Sequence, residues 1–128
     1  MATSPVFEAV PRVERGVLSA ANTNRDGSGT VVTLLTAVAA GTEIKRVVVT
    51  ATGTTTAGMV RLFLYDGTNY TALREIPIGA VTPSASLAAA RGEVVFSDIM
   101  LPNASWSLRA STHNAETFHV VVLGADLT

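Results

Sequence analysis

Eight short runs of β-branched and apolar residues, with Gly, Asn, Asp or Pro in most of the gaps, constrain this chain more than any other feature. They predict strands near residues 16–21, 30–38, 43–52, 58–65, 70–78, 93–99, 105–112 and 117–123. Short strands at this spacing imply an all-β sandwich or barrel. The clearest hairpin is VRLFLYDGTNYTALREI, where Asp66-Gly67-Thr68-Asn69 supplies turn chemistry between two apolar runs. Eight strands in two sheets is the count of a jelly roll. The expected fold is therefore an eight-stranded, jelly-roll-like antiparallel β-sandwich.

Two segments fall outside that pattern. Residues 1–15 read as an extended N-terminal arm. Pro5 and Pro11 prevent a helix there, and Val6, Phe7, Val10 and Val13 are apolar without a clean period. Residues 16–128 then form a single sandwich domain, and 128 residues are enough to bury a core. In TPSASLAAARG, Thr82 is placed as a helix cap, Pro83 as the first helical residue and Gly92 just past the end. These signals predict a short helix near 83–91, with an extended crossover between sheets as the other reading.

Several strands are apolar on both faces. In GMVRLFLY, Val60, Leu62 and Leu64 make one face, while Met59, Phe63 and Tyr65 share the other with Arg61. In FHVVVL, Phe118, Val120 and Val122 oppose His119, Val121 and Leu123. A sandwich buries one face of each sheet, so a second apolar face asks for a neighbour. Charged residues make up 15% of the chain against about 25% in an ordinary soluble domain. Eight of the nine basic residues are Arg, the type suited to interfacial pairing, and only Lys45 is Lys. The candidate interface residues are Val6, Phe7, Val10, Val13, Arg25, Asp26, Met59, Phe63 and Tyr65. SWSLRAS, by contrast, alternates cleanly, with Trp106, Leu108 and Ala110 on a dry side and Ser107, Arg109 and Ser111 on a wet one.

Chemistry is hard to place on this chain. NTNRDGSGT puts Asn22, Asn24, Asp26 and Gly27 on positions one, three, five and six of a calcium loop. Position twelve, which needs a bidentate Glu, is Thr33, and a strand-like run follows where a helix belongs. The stretch reads as a shaped turn in which Arg25 and Asp26 pair locally or with a neighbouring subunit. His113, Glu116 and His119 supply the residue types of a zinc triad but not its helical spacing. There is no G-x-S-x-G elbow and no phosphate-cradling glycine loop. The acids are scattered, and three of the ten, Glu14, Asp26 and Glu75, stand beside an Arg. With no cysteine, thiolate chemistry and disulfides are excluded. A net charge of −1 gives no basic footprint for nucleic acid, and no apolar run is long enough for a membrane helix. The first residues have neither the basic start nor the apolar segment of a signal peptide. No catalytic, cofactor or metal site is expected, and no cofactor.

Three stretches carry a resemblance: AANTNRDGSGT, TATGTTTAGMVRLFLYDGTNY and LPNASWSLRASTHNAETFHVVVLGADL. Together they resemble small virion structural proteins of tailed bacteriophages, above all those that decorate or cement the capsid. The resemblance runs from Ala20 to Asp126. It implies a jelly-roll or related sandwich, a homotrimer bound to the major capsid protein on the capsid exterior, and no cofactor; the charge balance and the apolar runs give no nucleic acid and no membrane partner. A carbohydrate-binding or structural module of a tail or fibre is the alternative. Tyr65 and Tyr70, flanking the hairpin turn, would be its stacking platform.

Overall fold

The structure, a computed structural model, describes residues 8–128, with side chains from Val10 onward. Eight strands account for most of it: β1 (Glu8–Leu18), β2 (Val32–Thr36), β3 (Thr42–Ala51), β4 (Gly58–Tyr65), β5 (Tyr70–Ile78), β6 (Arg91–Leu101), β7 (Ser107–Thr112) and β8 (Phe118–Leu127). They form two four-stranded sheets, β1-β8-β3-β6 (sheet A) and β2-β7-β4-β5 (sheet B), and every ladder is antiparallel. Consecutive strands mostly change sheets, and the last strand lies beside the first. That interleaving of two Greek keys is the jelly-roll connection.

The core between the sheets follows the period-2 pattern. Val47, Val49, Phe118, Val120 and Val122 point inward from sheet A, and Val60, Leu62, Leu108 and Ala110 from sheet B. All nine are at most 2% exposed. Burying side chains of this size contributes about 1.5–3 kcal/mol each for the larger ones. The hairpin turn forms as expected, with Asp66 Oδ1 accepting the N–H groups of Thr68 and Asn69 at 2.8 and 2.7 Å.

Three expectations are corrected. No helix forms over 83–91: residues 83–90 cross from sheet B to sheet A as irregular chain and Arg91 opens β6. The Ser84 hydroxyl accepts the Leu87 N–H at 3.1 Å, and the Ser84 and Leu87 backbones bond each other. Ser competes for the N–H groups that a helix would need, and a single short helix is marginal unless it packs. The first strand begins at Glu8, not at residue 16, so residues 8–15 of the expected arm lie in the β1–β8 ladder. Residues 1–7, with Val6 and Phe7, lie outside the described residues. Finally, the expected wet side of SWSLRAS is largely dry, since Ser107 and Ser111 are 3% and 2% exposed. Trp106 itself precedes β7 and is half-buried against the core.

Candidate functional site

At Ser111 the cover is the β1–β2 connection, while Ser107 lies beside Arg109, whose Nε donates to its hydroxyl at 3.0 Å. Leaving β1, the chain bonds Asn22 N–H to the Thr112 carbonyl at 2.8 Å, then crosses the outer face of sheet B. Asn22 shapes the loop. Its side-chain amide donates to the Ser28 and Thr30 carbonyls at 2.8 and 2.9 Å, and its Oδ1 accepts from Asn24 N–H at 3.0 Å. Asp26 Oδ1 accepts from the Ser28 N–H and hydroxyl at 3.0 and 2.6 Å, which holds its carboxyl below the usual range. The oxygens that resemble calcium ligands are thus engaged inside a turn. At Asn22 a donor, not an acceptor, faces the loop carbonyls. Gly27 has φ +89° and lies flat on Tyr70, where a Cβ would come within 2.3 Å of the ring. Only Gly tolerates both the left-handed backbone and that approach.

Beneath this strap Arg61, on β4, is 2% exposed. Its guanidinium donates to Glu75 Oε2 at 2.8 Å, to the Asn22 carbonyl at 3.2 Å and to His113 Nδ1 at 3.2 Å. Arg25 from the strap reaches the same Glu75 oxygen at 2.9 Å. The two guanidiniums, Arg25 first, hold the Glu75 carboxyl below its usual range. Next to them Phe63 is 1% exposed and meets Tyr70 edge-on at 6.2 Å. Tyr65 and Tyr70 lie 4.4 Å apart. Arg109 stacks on Tyr65 at 4.1 Å and donates to the Tyr70 hydroxyl at 2.9 Å.

The candidate residues therefore separate. Phe63 is interior, Met59 and Tyr65 are half-buried, and the tyrosine pair expected as a sugar platform already stacks with an arginine. Arg25 and Asp26 are exposed on the strap, but both are bonded within the chain. His113 and Glu116 go their own ways. His113 bonds Arg61, Glu116 bonds Thr56 at 2.8 and 2.9 Å, and His119 projects from sheet A. Among the described residues no three His, Cys, Asp or Glu side chains gather as a metal site.

Val13, 65% exposed on β1, leads to the surface that the residue-by-residue reading missed, while Val10, 50% exposed, stands opposite Asp126 and out of phase with it. Directly opposed residues share a sheet face. Across sheet A, in the order β1, β8, β3, β6, the register sets out Pro11–Ala125–Glu43–Met100, then Val13–Leu123–Arg46–Val95, then Arg15–Val121–Val48–Glu93, then Val17–His119–Thr50–Arg91. These four rows are the outer face. Val13, Val17, Val95 and Met100 are 65%, 53%, 70% and 46% exposed on it. Val48, Val121 and Leu123 fill its centre, half-buried. Glu93 holds Arg46 at 2.6 Å and Arg91 at 2.9 Å. The apolar pattern of FHVVVL was the available signal, but only the register shows which side chains of β1, β3 and β6 join it.

No protein-family model matches the chain, and no curated protein matches it in sequence. Among solved structures, a chain of the cyanophage Pam1 capsid asymmetric unit is similar over 98% of this chain and 91% of its own, at 14% identity and a TM-score of 0.46. A chain of infectious bursal disease virus, Gx strain, is similar over 92% of this chain and 41% of its own, at 16% identity and a TM-score of 0.23. Neither value carries a function across. The jelly-roll assignment rests on the strand order alone.

Proposed function

We propose that this chain is a non-enzymatic structural protein of a virion, bound to the outside of a tailed-phage capsid as a decoration or cement protein. Its partners are the major capsid protein and copies of itself, a homotrimer being the order that the sequence resemblance implies. The observation that carries the reading is the outer face of sheet A. It is a broad, half-apolar surface on which Val13, Val17, Val95 and Met100 stand exposed. A protein built to present a surface needs a rigid body and an apolar face; an enzyme would gather reactive groups in a cleft.

Attachment to particles is the test. Purified protein is added to capsids stripped of accessory proteins, co-sedimented, and located by particle reconstruction. Density for the sandwich on the outer shell is the expected result, and failure to co-sediment would sink the reading. Within the same proposal Val6 and Phe7 engage a neighbouring subunit. The informative truncation stops at residue 7, because removal of residues 1–15 would also strip most of β1 from β8. Loss of residues 2–7 is expected to weaken attachment while circular dichroism stays unchanged.

A further inference from the structure

We propose that the outer face of sheet A is a two-fold interface between two copies of this chain, with the axis parallel to the strands and running between β8 and β3. This contact does not depend on the virion reading. An axis so placed carries β1 of one copy onto β6 of the other and β8 onto β3. The four rows then pair with themselves in reverse order. Val13 meets Val95, Val121 meets Val48, and Pro11 meets Met100. Arg15 meets Glu93 at both ends of the same row. The Arg46 and Arg91 stems cover Leu123 and Val17, and His119 faces Thr50. No two like charges are opposed.

A two-fold axis perpendicular to the strands has no such property, since it lays Arg15 on Val13 and Glu93 on Val95. Because each Glu93 already holds Arg46 and Arg91, the added Arg15 sets the register more than the strength of the contact. Aligned sheets pack about 10 Å apart and rotated by about 30°. At the outer strands that rotation displaces facing residues by only a few Å, within reach of Arg15.

The area is sufficient. Four strands about 4.8 Å apart and four rows about 6.8 Å apart span roughly 500 Å² per copy. Both copies together then reach the ~1,000 Å² that a specific interface requires. An isologous contact of this kind closes at two copies, and it can equally join members of two trimers.

The chain contains no cysteine, so cross-linking is clean. Within one copy, Val13 and Val95 lie three strand spacings apart, about 14 Å. Facing sheets leave the partner's residue about 10 Å away. The double variant Val13→Cys with Val95→Cys is therefore joined with a short bis-maleimide that spans this gap but not the roughly 14 Å within one copy. Run on a denaturing gel, it is expected to give covalent dimers alone. Trimers or a ladder would mean head-to-tail contact and overturn the two-fold; monomers alone would overturn the interface. Independently, Val121→Arg sets a charge beside the axis twice per pair and should weaken self-association by about 100-fold or more. Sedimentation at micromolar concentration reads this, with circular dichroism confirming the fold. Wild-type protein that sediments as a monomer throughout, or association unchanged in Val121→Arg, would sink the proposal.

Discussion

Strands β4 and β8 are both apolar on their two faces, yet the outer face of β4 is closed beneath the chain's own loop while that of β8 stays half open. On sheet B, Phe63 and Arg61 are buried under residues 22–30, and Glu75 is shared between Arg61 and Arg25 of the strap. On sheet A, Val13, Val17 and Val95 remain more than half exposed. An apolar outer face thus does not by itself signal a partner protein. It signals a cover, which the same chain can supply, and a covered face can then also hold a buried guanidinium. Arg61 is costly to desolvate while its partner Glu75 stays 39% exposed, so the pair contributes more to fixing the strap in one place than to net stability.

The largest expected effect comes from breaking the covered side. Phe63→Ala should cost about 3–5 kcal/mol in urea unfolding, the range for a large aromatic removed from an interior. If it costs little, the strap is not a permanent cover and the two faces are alike after all. Gly27→Ala comes next, at about 1–3 kcal/mol, because the positive φ and the Tyr70 ring both oppose a Cβ. Tyr70→Ala should relieve the second of these, so the pair of changes should be less than additive in thermal melts.

Acid offers a third probe. Glu75 in the folded protein is held below its ordinary value of 4.5, so its contribution is present above that value and is lost as pH falls through the lowered folded value. Asp26, Asp66 and Glu93 are lowered too, so among the described residues four groups contribute to the acid limb of a stability profile. Glu75→Gln should flatten part of that limb while the other three persist. A profile identical to wild type would show that the strap is not anchored through this carboxylate. The smallest effect is expected on the open face. Val95→Ser should change the stability of the monomer by no more than about 0.5 kcal/mol, as exposed substitutions do. A larger loss, growing with protein concentration, would report the two-copy contact directly.

Much of the sandwich was legible. The runs that became β4 and β5 were bounded to the residue, because Asp66-Gly67 marks the turn between them and Gly58 opens the strand. The Leu108–Ala110 alternation named its core side correctly, since burial on the inner face follows the pleat. The helix signals at 82–92 misled because caps and alanines describe what a segment tolerates, and here the Ser84 hydroxyl takes the Leu87 N–H into a tight turn. The interface candidates misled in part for a related reason. Met59, Phe63 and Tyr65 do line a second apolar face, but what covers that face is encoded some 35 residues earlier, in NTNRDGSGT.

The sequence by itself determined seven of the eight strands, the turn chemistry, the inward residues of most strands and the turn character of the 22–30 loop, because each depends on neighbours within a few positions. The tertiary structure decided which sheet that loop would cover, how Arg61, Glu75, Arg25, Asn22 and His113 would meet, and which residues from four separate strands would share one open face. Those outcomes depend on ladder register between segments as much as a hundred residues apart, as Arg15 on Val121 shows. A one-residue slip in that register would turn every side chain to the other side.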